Sequence, residues 1–170
     1  MGLQAHRRVE VFHINPVILW LTVFAALLLQ TVLPLIHPAA RRLDFPLLIT
    51  IYFALLRRSQ VFGIGLGTAV GLTQDALAHG LIGTSGIAKA LVGYLAASSS
   101  VKFDLEQFLP RFLFAGTLIF VHRIFLFAIE RALLVPPPEF RPSEILTGVL
   151  INVVLGLFIF QILDHFKRPA

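Results

Sequence analysis

Six apolar runs, each closed by charged or helix-breaking residues, organise the chain. About 20 residues at a 1.5 Å rise cross a hydrocarbon core of roughly 30 Å, so runs of that length predict transmembrane helices. The first, VILWLTVFAALLLQTVLPLI over 17–36, follows His6, Arg7 and Arg8. A cleaved signal peptide competes for that run, but its length and the HPAARR that follows make a poor cleavage site. The second run, 44–56, lies between Arg41–Arg42 and Arg57–Arg58. About 13 residues reach only about 20 Å, so this helix must borrow flanking residues, thin the bilayer or sit against other helices. The remaining spans are predicted over 60–79, 85–102, 109–134 and 143–166. VPPPEFRP between the last two cannot continue a helix and forms a stiff connection. The loops leave no room for a soluble domain, so one six-helix transmembrane domain is expected over 1–170.

Composition agrees with that parse. The chain is 57% hydrophobic and 14% charged, against roughly a quarter charged in soluble domains. The net charge of +5 does not point to nucleic acid, because Lys and Arg stand in pairs beside apolar runs. With no cysteine, disulfides, thiol catalysis and thiolate metal sites are excluded. No metal or cofactor is expected. With the N-terminus inside, Arg7, Arg8, Arg57, Arg58, Lys102, Arg111, Lys167 and Arg168 fall on the cytoplasmic side. Arg41, Arg42, Arg131 and Arg141 fall outside. This bias predicts both termini in the cytoplasm, with Arg41–Arg42 as the local contradiction.

Charged and amide side chains inside the runs are the candidate chemistry. Counting from the helix ends places Asp75 about 22 Å and Arg123 about 21 Å from the cytoplasmic side. Lys89 enters from the other side, about 6 Å below the outer face, and Asn152 lies slightly deeper. An unpaired charge at such depth costs at least about 2.5–3.5 kcal/mol, so Asp75 is expected to pair with Lys89 or Arg123. The four residues form either a structural layer or an ion- or ligand-binding one. If Lys89 snorkels to the interface, Arg123 remains as the partner.

Gly63, Gly67 and Gly71 recur at four-residue spacing, with Asp75 one step further. Such a stripe lets another helix approach closely, from this chain or from a partner. A phosphate-binding loop is the competing reading, but no strand precedes these glycines and no P-loop lysine stands nearby. Gly83-Thr84-Ser85-Gly86 matches the Gly-x-Ser-Gly of rhomboid intramembrane proteases. Serine catalysis also needs a base within reach. His122 is mismatched in depth, and His79 shares the short loop with Ser85. The simpler expectation is that the glycines turn the chain and Ser85 caps the fourth helix.

A helix ending in paired basic residues, a glycine-rich helix closing on an aspartate, and then HGLIGTSGIAKALVGYLAA resemble the central signature of the MreD family of bacterial rod-shape-determining membrane proteins. The matching residues are Gly67, Gly71, Asp75, Gly80, Gly83, Val92, Gly93 and Tyr94, within about 45–97. Ile82 stands where that loop often has Pro, and Lys89 inside the fourth helix is unexplained by the resemblance. The resemblance implies an all-α polytopic protein of the bacterial inner membrane and a non-enzymatic scaffold of the cell-elongation machinery. Its implied partners are MreC, RodA, a penicillin-binding protein and, indirectly, the MreB filament, in lateral peptidoglycan synthesis. The six-helix layout is also similar to the S-components of energy-coupling-factor vitamin transporters. Those often carry an Ala-x-x-x-Ala face on the first helix, whereas Ala25 and Ala26 here are adjacent.

Overall fold

The computed structural model describes residues 12–13, 15–78, 81–100, 108–166 and 168–169. His6, Arg7, Arg8, His79, Gly80, Lys102 and Lys167, named above, lie outside the described residues. Six α-helices carry the fold: α1 Pro16–Ile36, α2 Phe45–Arg57, α3 Gln60–Leu77, α4 Thr84–Ser100, α5 Phe108–Leu133 and α6 Pro142–Asp164. A 3-10 turn, Pro38–Arg42, joins α1 to α2. The strands β1 (Phe12–His13) and β2 (Arg168–Pro169) are a two-residue antiparallel pairing. The six helices lie within two residues of the predicted apolar runs at each described end.

Local chemistry sets the boundaries. Asn15 accepts the Val17 N–H at 2.9 Å to cap α1, with Pro16 in the first turn where its missing N–H costs nothing. Asp44 does the same for α2 through the Leu47 N–H, and Ser59 for α3 through the Phe62 N–H. Arg58 takes a left-handed conformation with φ of 52° and ends α2, so α3 can begin after a two-residue break.

The protein is an all-helical membrane protein. Helices α1, α5 and α6 carry segments long and apolar enough to span unaided. Trp20, Leu21 and Phe24 on α1, and Leu150, Val154 and Phe158 on α6, project outward, as a lipid-facing surface requires. The inner stripe of α1 is Leu19, Val23 and Ala26.

Short helix α2 is the axis of the bundle. Every residue from Phe45 to Leu56 is buried, and α2 touches all five other helices. Of the three options open to a 13-residue helix, this is packing against other helices. Its N-terminus therefore lies at depth: Asp44 N–H bonds Asn152, which is ten residues inside α6, about 15 Å from that helix's start.

Helices α3 and α4 pack backbone to backbone. A side chain at Gly63 would be driven into the carbonyl of Gly93, one at Gly67 into that of Lys89, and one at Gly71 into that of Ser85. The glycine stripe is thus filled by this chain's own α4. Gly93 completes it from the other side, because a Cβ there would meet the Gly63 carbonyl.

Candidate functional site

Beginning a helix deep in a bilayer leaves backbone N–H and C=O groups with no water to satisfy them, a cost of several kcal/mol each. The segment Arg42–Phe45 meets that demand with side chains from three helices. Gln30 of α1 donates from Nε2 to the Leu43 carbonyl at 3.0 Å and accepts the Phe45 N–H at 3.1 Å. Asn152 of α6 accepts the Asp44 N–H at 2.8 Å and donates to the carbonyls of Arg42 and Gly148, both at 2.7 Å. Arg123 of α5 donates from its guanidinium to the same Arg42 carbonyl.

The Asp44 carboxylate has two tasks. Oδ1 accepts the Leu47 N–H at 3.0 Å as the cap of α2, and Oδ2 takes Lys89 Nζ at 3.1 Å. Lys89 is fully buried, so the two charges face each other away from water. His122 Nε2 stands 4.0 Å from the same Oδ2, and neither ring nitrogen has a hydrogen-bond partner among the described residues.

Asp75 was expected to pair with Lys89 or Arg123, and it does not. Its carboxylate accepts the N–H groups of Gly83 at 2.8 Å and of Ser85 at 3.1 Å. The reason is connectivity: α3 and α4 are joined by a short loop, so the end of α3 meets the N-terminus of α4, where free N–H groups and the helix dipole attract a carboxylate. The same contact corrects the role of Ser85. It lies within α4, which begins at Thr84, and its own N–H is among the groups being capped.

Of the four predicted polar residues, then, Lys89, Arg123 and Asn152 converge on the Arg42–Asp44 segment, while Asp75 works elsewhere. Asp44 and Gln30 were missed. Asp44 stands at the head of an apolar run before Phe45-Pro46, the pattern of a helix cap, and that signal is available in the sequence. What hid its depth is that nothing local says α2 starts inside the bundle. The Gly-x-Ser-Gly stretch acquires no catalytic partner among the described residues: His122 makes no hydrogen bond to Ser85 or to any other group.

A second polar group, also missed, lies toward the opposite end of the bundle. Asp164 of α6 accepts from Tyr52 Oη at 3.0 Å and from Arg111 at 2.5 and 3.2 Å. The Arg111 guanidinium rests over the rings of Tyr52 and Phe160, at 5.5 and 5.0 Å. Arg111 entered the sequence reading only as a topology charge. Here it ties α5 to α6 and to the C-terminal part of α2.

No group of three or more His, Cys, Asp and Glu placed to hold a metal ion occurs among the described residues. The polar atoms of Asn152, Gln30 and Lys89 are directed at the protein itself. The arrangement can lock α2 in depth and rotation, and no bond-making chemistry follows from it.

In comparison with known families, the chain matches the model of the rod shape-determining protein MreD over residues 11–166. No curated protein and no solved structure matches it.

Proposed function

Because the chain belongs to the MreD family of rod shape-determining membrane proteins, we propose that it is a non-enzymatic scaffold of the bacterial cell-elongation machinery. Residues 1–170 act as one transmembrane domain in the inner membrane, with both termini cytoplasmic by the bias of basic residues. It supports lateral peptidoglycan synthesis together with MreC, RodA and a penicillin-binding protein, and indirectly with the MreB filament.

The observation that carries the scaffold reading is the way the polar interior is used. Lys89, Arg123, Asn152 and Asp75 all bond groups of this chain, and Gly63, Gly67 and Gly71 are covered by α4. They serve rigidity, and the partner-binding surface is sought on the lipid-facing helices and loops. A membrane protein so held offers a fixed outer shape to a single-pass partner.

The test is complementation. A rod-shaped host depleted of its own MreD-family protein should round up, regain rod shape when this chain is expressed, and yield MreC in a detergent pull-down of the tagged chain. Uptake of a radiolabelled vitamin when the chain is expressed with an energising module, without rescue of shape, would overturn the reading in favour of a transporter S-component.

A further inference from the structure

Arg41 and Arg42 form the one basic doublet that runs against the charge bias of the helix ends. Both are exposed, and neither has an ion-pair partner among the described residues. Arg41 lines the mouth of a cleft of about 360 Å³ between α1 and α3. Leu27, Pro34, Leu35 and Leu77 give the cleft apolar walls, and Leu35 is 81% exposed on its outer lip. Gln74 also lines it, with Oε1 buried and without a hydrogen-bond partner among the described residues. Pro34 sits inside α1 and supplies no N–H to the carbonyl of Gln30, a further lining residue.

These features specify an occupant. Unmatched cationic charge at the mouth asks for an anion, and arginine prefers the planar or tetrahedral oxygens of carboxylate and phosphate. A buried carbonyl oxygen without a donor asks for a hydroxyl or an amine. Apolar walls opening beside the lipid-facing side of α1 ask for an acyl chain. We propose that the α1–α3 cleft seats an anionic phospholipid with a hydroxyl-bearing headgroup: its phosphate on Arg41, its hydroxyl on Gln74 Oε1, its chain along Leu27 and Leu35. The neighbouring cavity of about 270 Å³ between the 3-10 turn, α5 and α6 shares Arg41 and also holds Arg42, Arg123 and Arg141, but Glu130, Glu139 and Glu144 line it as well, and Arg141 is already paired with two of them. Those carboxylates repel an anion, whereas no carboxylate among the described residues lines the α1–α3 cleft.

The test uses the purified full chain in detergent, with phosphatidylglycerol and phosphatidylcholine of matched chains and native mass spectrometry as the readout. The wild type should retain phosphatidylglycerol over phosphatidylcholine by about tenfold, because both carry the phosphate but only phosphatidylglycerol lacks a compensating cation and offers a hydroxyl to Gln74. Arg41→Gln should remove most of the preference, and Gln74→Leu the smaller part that the headgroup hydroxyl supplies. Arg57→Gln with Arg58→Gln, at the opposite end of α2, should leave it intact. Melting curves in lipid-free detergent report folding, and if Arg41→Gln melts early, Gln74→Leu carries the test. Equal retention of both lipids by the wild type, an unchanged preference in Arg41→Gln, or equal loss in the Arg57/Arg58 variant would overturn the proposal. So would displacement of the bound lipid by excess inorganic phosphate alone, since the chain would then contribute nothing.

Discussion

Lys89 Nζ lies 3.1 Å from Asp44 Oδ2, across 45 positions of chain, and joins the first turns of α4 to the N-terminus of α2. Lys89 is fully buried and Asp44 nearly so. In such surroundings the pair is costly to assemble, and removing one member strands the other. Because Asp44 also caps α2, the pair fixes both where that helix begins and which way it faces.

Asp44→Ala is therefore expected to be the most damaging substitution in the polar core. It should lower stability by about 3–5 kcal/mol, the cost of an orphaned buried charge, with loss of the cap in addition. Asp44→Asn keeps a capping oxygen but leaves Lys89 unpaired. Adding Lys89→Met to it should recover much of the loss, since the double change removes both desolvated charges together while Asn still caps α2. Thermal melts of the three variants in one detergent check this. Wild-type melting by Asp44→Ala would contradict the paired core.

Asp75→Ala should be milder, at about 1–2 kcal/mol, because it removes a cap from α4 and no ionic partner. Asn in its place should retain part of the bonding. An Asp75→Ala loss as large as that of Asp44→Ala, relieved by neutralising Arg123 or Lys89, would restore the ion-pair assignment that the geometry rejects.

Gly67 and Gly65 lie two positions apart and should respond in opposite senses. A Cβ at Gly67 meets the Lys89 backbone, which cannot yield cheaply, so Gly67→Ala should cost about 1–3 kcal/mol by overpacking. Nothing stands within 4 Å of a Cβ at Gly65. Gly65→Ala should be neutral or stabilising by up to about 1 kcal/mol, through the lower entropy of the unfolded chain. Equal melting temperatures for the two variants would dissolve the α3–α4 seam.

Topology is open to single cysteines, since the chain has none of its own. Pro137→Cys should react with an impermeant maleimide in intact spheroplasts, and Ser59→Cys only after permeabilisation. The opposite pattern would invert the proposed orientation.

How much of this was legible beforehand depends on the range of the interaction. Helix number and position follow from local apolarity and breakers: Pro16, Pro142 and the Arg57–Arg58 break mark boundaries that short-range sterics enforce whatever lies around them. The glycine stripe was legible as a packing face for a related reason, because residues four apart share one side of a helix. Depth counting brought Lys89, Arg123 and Asn152 to the right region but matched Asp75 to them wrongly. Rise per residue fixes height along a helix and says nothing about azimuth, and azimuth decides which neighbour a side chain meets.

The sequence by itself determined a membrane protein of six helices with a small-residue seam, because hydrophobicity and backbone sterics act within a few residues. Only the tertiary structure decided that the shortest helix is the axis of the bundle and that α4 fills the seam. It alone showed that the buried lysine answers Asp44 and not Asp75. Those outcomes depend on which helices stand side by side, and in a bilayer that choice is shaped by the need to pair buried charges and the open backbone groups at helix ends, wherever in the chain the partner lies.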